Sequence, residues 1–227
     1  CIQKSSTGLV NEVVMMKSRS LVVLVTLLFA CSVSLADVND EIVKIQHQWA
    51  KANYATPESE QEKAFESLVA EAQKLAESNP DRAEPRVWLA IVLSTGAGVT
   101  GGLGALGKVK EARRQLEAAE KISPEVLNGS IYTSLGSLYY QVPGWPIGFG
   151  DEEKAEMYLK KALSINPVGI DPNYFYGDFQ LEEGNYQKAV KYLEKAAAAP
   201  PRPGRPLADK GRQAEIQEKL QLARKKL

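Results

Sequence analysis

Apolar and polar residues follow a helical period along most of this chain. From residue 37 onward, apolar residues recur every three or four positions, and no window shows the two-residue alternation of a half-buried strand. Proline, glycine and Asn-Pro or Ser-Pro pairs separate the periodic segments. The pattern predicts helices over residues 41–53, 61–78, 84–93, 108–122, 129–141, 151–165, 172–183, 186–198 and 207–226. The sequence therefore predicts an all-α protein.

Three of these helices carry the same spacing, Ala-x3-Leu-x2-Ala-x4-Pro. The three copies are Ala112, Leu116, Ala119, Pro124; Ala155, Leu159, Ala162, Pro167; and Ala189, Leu193, Ala196, Pro201. Small alanines allow two antiparallel helices to approach, leucine fills the space between them, and proline ends the second helix. The last two copies begin 34 residues apart, which is the period of a helix–turn–helix repeat. We expect repeats at about 85–124, 129–167 and 170–201, and a helix at 207–227 that caps the array.

The second copy follows Tyr132-x2-Leu135-Gly136-x2-Tyr139, and this combination resembles a tetratricopeptide repeat. The segment with Gly177, Gly184-Asn185-Tyr186 and the third copy resembles one too. The resemblance covers roughly Pro85 to Pro201. It departs from the family pattern where Tyr132 and Asn173 replace the usual tryptophan. The resemblance implies a solenoid of helical hairpins that recognises a protein or an extended peptide and is not an enzyme.

More narrowly, the chain is similar to exported repeat proteins that accompany bacterial TRAP-type solute transporters. These proteins also combine a signal peptide, a short helical array and glycine-rich loops within the repeats. This second resemblance implies an alternative function, a ligand-handling accessory subunit of a solute transporter.

The N-terminal part predicts export. Residues 1–15 begin with Cys1 and read as an upstream or non-native segment, and residues 16–36 read as a signal peptide with a basic start and an apolar run at 21–30. Cleavage is expected before Asp37, which leaves residues 37–227 as one repeat domain in the periplasm. Leu28-Phe29-Ala30-Cys31 also resembles a lipobox, so a lipid anchor at Cys31 stays open. The apolar run is too short to span a bilayer, and no later segment is expected to do so.

Composition narrows the chemistry further. Lysine plus arginine and aspartate plus glutamate both number 28, which argues against a nucleic-acid partner. No cysteine follows residue 37 and His47 is the only histidine, so thiolate sites, histidine-based metal sites and Ser-His or Cys-His catalysis are not expected. We therefore predict no catalytic residue, no cofactor and no metal.

Two long connections within the repeats are predicted as loops. The first is the glycine-rich stretch at 95–107. Its Gly102-x-Gly104-x-x-Gly107 followed by Lys108 formally matches a dinucleotide motif and nearly matches a phosphate-binding loop. Val109 cannot ligand magnesium, and no strand precedes the glycines. A nucleotide-dependent enzyme is therefore a remote alternative.

The second connection, at 142–150, carries Trp145 and Phe149 between prolines and directly follows Tyr140. Prolines lower the entropy of a loop that presents aromatic rings. The two aromatic residues either contact a partner or ligand, or pack back onto the helix pair.

The third repeat offers a polar helix face. Asp171, Tyr174 and Asp178 have i, i+3, i+7 spacing, and the tetratricopeptide resemblance implies that this face, together with Thr133, Ser137 and Tyr140, lines a concave groove. Asp171 also fits a helix N-cap before a proline. The predicted partner- or ligand-binding residues are Tyr140, Trp145, Phe149, Tyr174 and Asp178.

A stiff proline-rich segment at 200–206 precedes the last predicted helix. That helix either only caps the array, or the arginines around it clamp an acidic partner. The arginines concerned are Arg202, Arg205 and Arg212.

Overall fold

The computed structural model describes residues 38–227, of which residues 42–227 form one compact unit. The predicted signal peptide and the alternative lipid anchor at Cys31 therefore lie outside the described residues. Within 38–227 the regular structure is helical throughout, without a strand. No helix in this range combines the length and the apolar character that crossing a membrane requires.

Nine helices are described. They are α1 (38–54), α2 (Glu58–Ser78), α3 (Ala83–Thr100), α4 (Gly102–Ile122), α5 (Val126–Gln141), α6 (Glu152–Ile165), α7 (Ile170–Glu182), α8 (Tyr186–Ala197) and α9 (Pro206–Arg224). The most extensive packing is between α3 and α4, between α5 and α6, and between α7 and α8. The chain thus forms the predicted succession of helical hairpins.

The repeated alanine and leucine positions form the interface of each hairpin. All nine of these side chains, three each in α4, α6 and α8, have no exposed surface. The partner helix comes close to α6 at Gly136, where an added methyl carbon would lie 2.5 Å from Leu159 Cγ. It comes equally close to α8 at Gly177, where the methyl carbon would lie 2.8 Å from Leu193 Cγ. The short distance between the paired helices therefore requires glycine at positions 136 and 177.

The last helix covers the end of the array, as the capping prediction states. Ile216, Leu220 and Ala223 of α9 lie in one apolar cluster with Ala189, Leu193 and Ala196 of α8. This packing removes the outer face of the last hairpin from water, and apolar burial is the main favourable term in folding.

The prediction of a long loop at 95–107 is wrong. α3 continues to Thr100 and α4 begins at Gly102, so the connection is a sharp turn at Gly101. Gly101 and Gly102 have φ values of +64° and +59°, a region that side-chain-bearing residues rarely adopt. Lys108 donates a hydrogen bond to Thr100 Oγ1 at 2.6 Å. The glycines proposed for a nucleotide loop therefore lie in a helix, and no strand precedes them in the described residues.

The loop at 142–150 has the predicted position between two paired helices. Gly150 N donates to Pro143 O at 3.0 Å and Asp151 N to Tyr139 O at 2.8 Å, so the two ends of the loop are held together. Asp151 then caps α6 by accepting a hydrogen bond from Lys154 N at 3.0 Å. The loop thus leaves and rejoins the hairpin at nearly the same place.

Candidate functional site: a polar and aromatic cavity

One side of the helical array forms an open cavity of about 1030 Å³. It is lined by residues of α1, α2, α3, α5, α7 and α9, by the connection between α6 and α7, and by segment 200–205. This segment turns at residues 203–204, and we call it the C-terminal strap. Serine, threonine and asparagine side chains make much of the wall, and Trp49, Trp88 and Tyr174 add flat aromatic faces. A concave site with aromatic walls and a few polar groups is the usual form of a binding pocket.

The C-terminal strap reaches α1, at the other end of the chain. His47 Nε2 lies 2.8 Å from the carbonyl oxygen of Gly204, which is the distance of a hydrogen bond when Nε2 carries the proton. Tyr54 of α1 packs its ring against the backbone of α9 at Gly211. Trp49 donates its indole N–H to Thr95 Oγ1 at 3.0 Å. The contacts of His47 and Tyr54 hold the strap and α9 against α1. The strap and α9 also pair with Asp171 of α7, and they close one side of the cavity.

A cluster of charges holds the strap in place. Asp171, in the first turn of α7, pairs with both Arg202 and Arg212. Arg202 also pairs with Asp209, and Arg212 with Glu215. Burial raises the pKa of Asp171, but the attraction of Arg212 and Arg202 outweighs it and holds the pKa below its ordinary value. The carboxylate therefore stays charged and anchors two arginines.

The alternative interpretation of Asp171 as an N-cap is wrong. The N-cap of α7 is Gly169, and no side chain caps this helix. The Asp171 carboxylate pairs instead with the guanidinium groups of Arg202 and Arg212.

Arg212 is the most enclosed member of the cluster, with 8% of its surface exposed. Its guanidinium lies 4.3 Å from the ring centre of Tyr174 and 4.8 Å from that of Phe175. Burial lowers the pKa of Arg212, whereas Asp171 and the other neighbours raise it above the ordinary value. For the nearby Tyr54 hydroxyl, burial acts in the opposite direction and raises the pKa to about 12. This tyrosine is therefore neutral at physiological pH.

The predicted polar face is divided between two environments. Tyr174 lines the cavity, as do Thr133 and Ser137, whereas Tyr140 and Asp178 do not. Tyr140 donates its hydroxyl hydrogen to Asp178 Oδ2 at 2.8 Å, and Lys219 of α9 lies 2.7 Å from Asp178 Oδ1. Burial, reinforced by the Asp178 charge, raises the pKa of Tyr140. Asp178 thus has a partner on each side and links α5, α7 and α9.

The two aromatic residues of the 142–150 loop behave differently from each other. Phe149 packs edge-on against Tyr139 with ring centres 5.6 Å apart, and Arg113 lies 4.3 Å from its ring centre. Trp145 is 90% exposed and Ile147 is 62% exposed. Neither Trp145 nor Phe149 lines the cavity. The five predicted site residues therefore do not form one site.

Three aromatic residues line the cavity without having been predicted as site residues: Trp49, Tyr54 and Trp88. They precede the clear repeat spacing, and each alone reads as an ordinary core aromatic. A signal was present: the two tryptophans are the only ones besides Trp145. Amphipathic aromatic rings of this kind are enriched in recognition surfaces.

Comparison with known proteins assigns the class of the fold. The family model for the tetratricopeptide repeat matches residues 147–168 and 170–203. These residues contain all of α6, α7 and α8. Residues 147–203 therefore contain tetratricopeptide repeats, as the resemblance implied.

Solved structures with a similar chain course include two crystal structures of MamA. They are 19% and 18% identical, cover 72% and 82% of this chain and 89% and 92% of their own, and each has a TM-score of 0.43. A thermophilic tetratricopeptide repeat protein of Thermus thermophilus, TTC0263, is 17% identical over 69% of this chain and 92% of its own, with a TM-score of 0.38. No curated protein matches the chain.

Proposed function

We propose that this protein is a non-enzymatic recognition module that binds a partner protein or an extended peptide in the cavity. The observation that carries the proposal is the cavity itself, to which helices from both ends of the array contribute. Its walls offer hydroxyl and amide groups for hydrogen bonds and aromatic faces for apolar contact. Such a combination suits a segment of polypeptide, because its backbone offers hydrogen-bonding groups and its side chains include apolar ones.

The exposed tip of the 142–150 loop is a second contact surface in this proposal. Trp145 and Ile147 are far more exposed than most large apolar residues of the chain. Tryptophan is the residue type most enriched among energetically dominant interface positions. A partner held in the cavity and also touching this loop would contact two of the predicted site residues, Tyr174 and Trp145.

A second candidate function is the handling of a small ligand as an accessory subunit of a solute transporter. The size of the cavity favours it, because about 300–1,000 Å³ is the usual range for small-molecule pockets. The closure of one side by the C-terminal strap also favours a compact occupant over a long one.

Filling the cavity tests the proposal. The full chain is used to select binders from a displayed library of random peptides, and the selected peptides are titrated against Ser134→Trp. Ser134 lines the cavity, so an indole at this position occupies the binding space. We expect the affinity to fall by about tenfold or more, which corresponds to ~1.4 kcal/mol.

The matched control is Ser164→Trp, an equal change on the exposed face of α6 that does not line the cavity. It should bind the peptides like the unchanged protein, and circular dichroism should show both variants folded. Peptides that bind both tryptophan variants equally contradict the cavity as the recognition site. If their binding depends instead on Trp145, the loop is the site; if no peptide is selected but a small molecule co-purifies, the transporter-accessory function is favoured.

We also propose that the protein is exported to the periplasm. Support comes from the basic start, the apolar run and the small residues of 16–36. Expression of the full chain in a bacterial host, followed by fractionation and mass measurement of the mature protein, should give a periplasmic species that begins at Asp37. A species that begins at an acylated Cys31 would instead establish a lipid anchor, and one that retains residues 16–36 in the cytoplasm would contradict export.

A further inference from the structure

Arg205 differs from the other arginines of the charge cluster. It is the last strap residue before α9, and its guanidinium lies 5.1 Å from the ring centre of Trp88 and 5.9 Å from that of Trp49. Among residues 38–227, no carboxylate lies within ion-pair distance of it, and its buried Nε has no hydrogen-bond acceptor. Its two neighbours Arg202 and Arg212 each pair with two carboxylates.

An arginine in this state is costly to the folded protein. A buried donor without an acceptor loses its hydration and gains nothing in return. Burial, together with the charge of Arg202, lowers the pKa of Arg205 to about 10, so the group remains charged at neutral pH. The guanidinium lines the cavity, so an occupant can reach it. The contacts with the two indole rings use none of the hydrogen-bond donors of the guanidinium.

The charges around the cavity indicate which anion fits. Three arginines line it, Arg202, Arg205 and Arg212, and so do three carboxylates, Glu58, Asp171 and Glu215. The positive and negative charges of the lining are therefore equal in number. A group with one negative charge disturbs this charge balance less than a doubly charged phosphate does. A carboxylate also matches the planar fork of a guanidinium with two parallel hydrogen bonds.

We propose that Arg205, Trp49 and Trp88 form a subsite for a carboxylate attached to a flat apolar group. The subsite rests on the proposed function, because it names the chemistry of the occupant of the same cavity. The carboxylate accepts hydrogen bonds from the guanidinium, and the apolar group contacts the small exposed parts of the two indole rings, which are 6% and 4% exposed. A free organic acid or an acidic peptide can supply this chemistry.

Two probe pairs test the subsite on the full chain. The first is 3-phenylpropionate against 3-phenylpropionamide, and the second is an acetylated, amidated peptide containing Phe-Glu against the same peptide with Phe-Gln. Titration calorimetry measures each. We expect the acid of at least one pair to bind more tightly than its amide by about 10-fold to 100-fold, the usual value of a hydrogen bond to a charged group. Preference in the first pair identifies a free acid as the source, and preference in the second identifies a peptide.

Substitutions then assign the preference to Arg205. Arg205→Met should abolish it, and Arg205→Lys should reduce it because a single ammonium cannot form the paired bonds. The matched control is Arg224→Met, which removes an exposed arginine outside the cavity and should leave the preference unchanged. The acid–amide comparison on the unchanged protein needs no variant to fold.

Equal binding of acid and amide in both pairs overturns the subsite, as does a preference that survives Arg205→Met. Library peptides that Ser134→Trp blocks and Arg205→Met leaves untouched would overturn the subsite while the cavity function stands. Acid binding that depends on Arg205 and that Ser134→Trp also blocks supports both.

Discussion

Arg212→Ala is expected to lower the free energy of unfolding by about 3–5 kcal/mol, the usual cost of removing one partner of a buried ion pair. Arg212 Nε lies 3.0 Å from Asp171 Oδ1, and the same guanidinium contacts Glu215, Tyr174 and Phe175. Its loss leaves Asp171 with Arg202 alone and removes ring contacts between α9 and α7. Urea unfolding followed by circular dichroism measures the change.

Arg224→Ala is the matched control, because Arg224 is exposed and pairs only with Glu194 across the surface. Its loss should cost less than about 1 kcal/mol. The double variant Asp171→Asn with Arg212→Met should cost less than the sum of its two single changes, since it does not leave the Asp171 charge without Arg212. Additive costs, or a cost for Arg212→Ala as small as for Arg224→Ala, would show that the cluster does not anchor the strap and α9.

Gly211→Ala is expected to destabilise the protein by about 1–3 kcal/mol, the usual cost of overpacking. An added methyl group at Gly211 would overlap the ring of Tyr54, so α9 and α1 have to move apart. Because this contact helps to close the cavity, peptide binding should weaken along with stability. Thermal or urea unfolding of the variant, compared with the unchanged chain, measures the effect.

Two further variants separate the overlap from the intrinsic effect of glycine. Gly107→Ala lies inside α4 with open space around it, so it should stabilise the protein by up to about 1 kcal/mol through helix propensity. In a Tyr54→Ala background the overlap is absent, and Gly211→Ala should then be neutral or stabilising. If Gly211→Ala destabilises equally in both backgrounds, Tyr54 is not the cause.

Most helices and their pairing could be predicted, because the signals are local. The spacing of Ala189, Leu193 and Ala196 identifies the buried face of α8 without any knowledge of the rest of the chain. Helix ends were predicted to within a few residues wherever proline or an Asn-Pro pair follows. The 142–150 loop was predicted for the same reason, since its prolines and glycines exclude a helix.

The error at 95–107 came from treating glycine as a loop signal. Each glycine in a helix costs about 1 kcal/mol relative to alanine. In α3 that cost is offset by burial: Ala97 is 3% exposed, and Gly96 lies against the ring of Phe65 in α2. Tertiary contact with α2 therefore supports the helix at Gly96, and no pattern within the segment indicates that contact.

The helical hairpins and the capping helix could be predicted from the sequence, because helix periodicity and close helix contacts depend on residues three to eight positions apart. The site depends on contacts between distant parts of the chain. His47 and Gly204 are separated by 157 positions, and Arg205 meets Trp49 and Trp88 across similarly long stretches of chain. Whether a charged residue is paired, and which aromatic rings face a common space, depends on how distant elements close on one another. No local pattern carries that information.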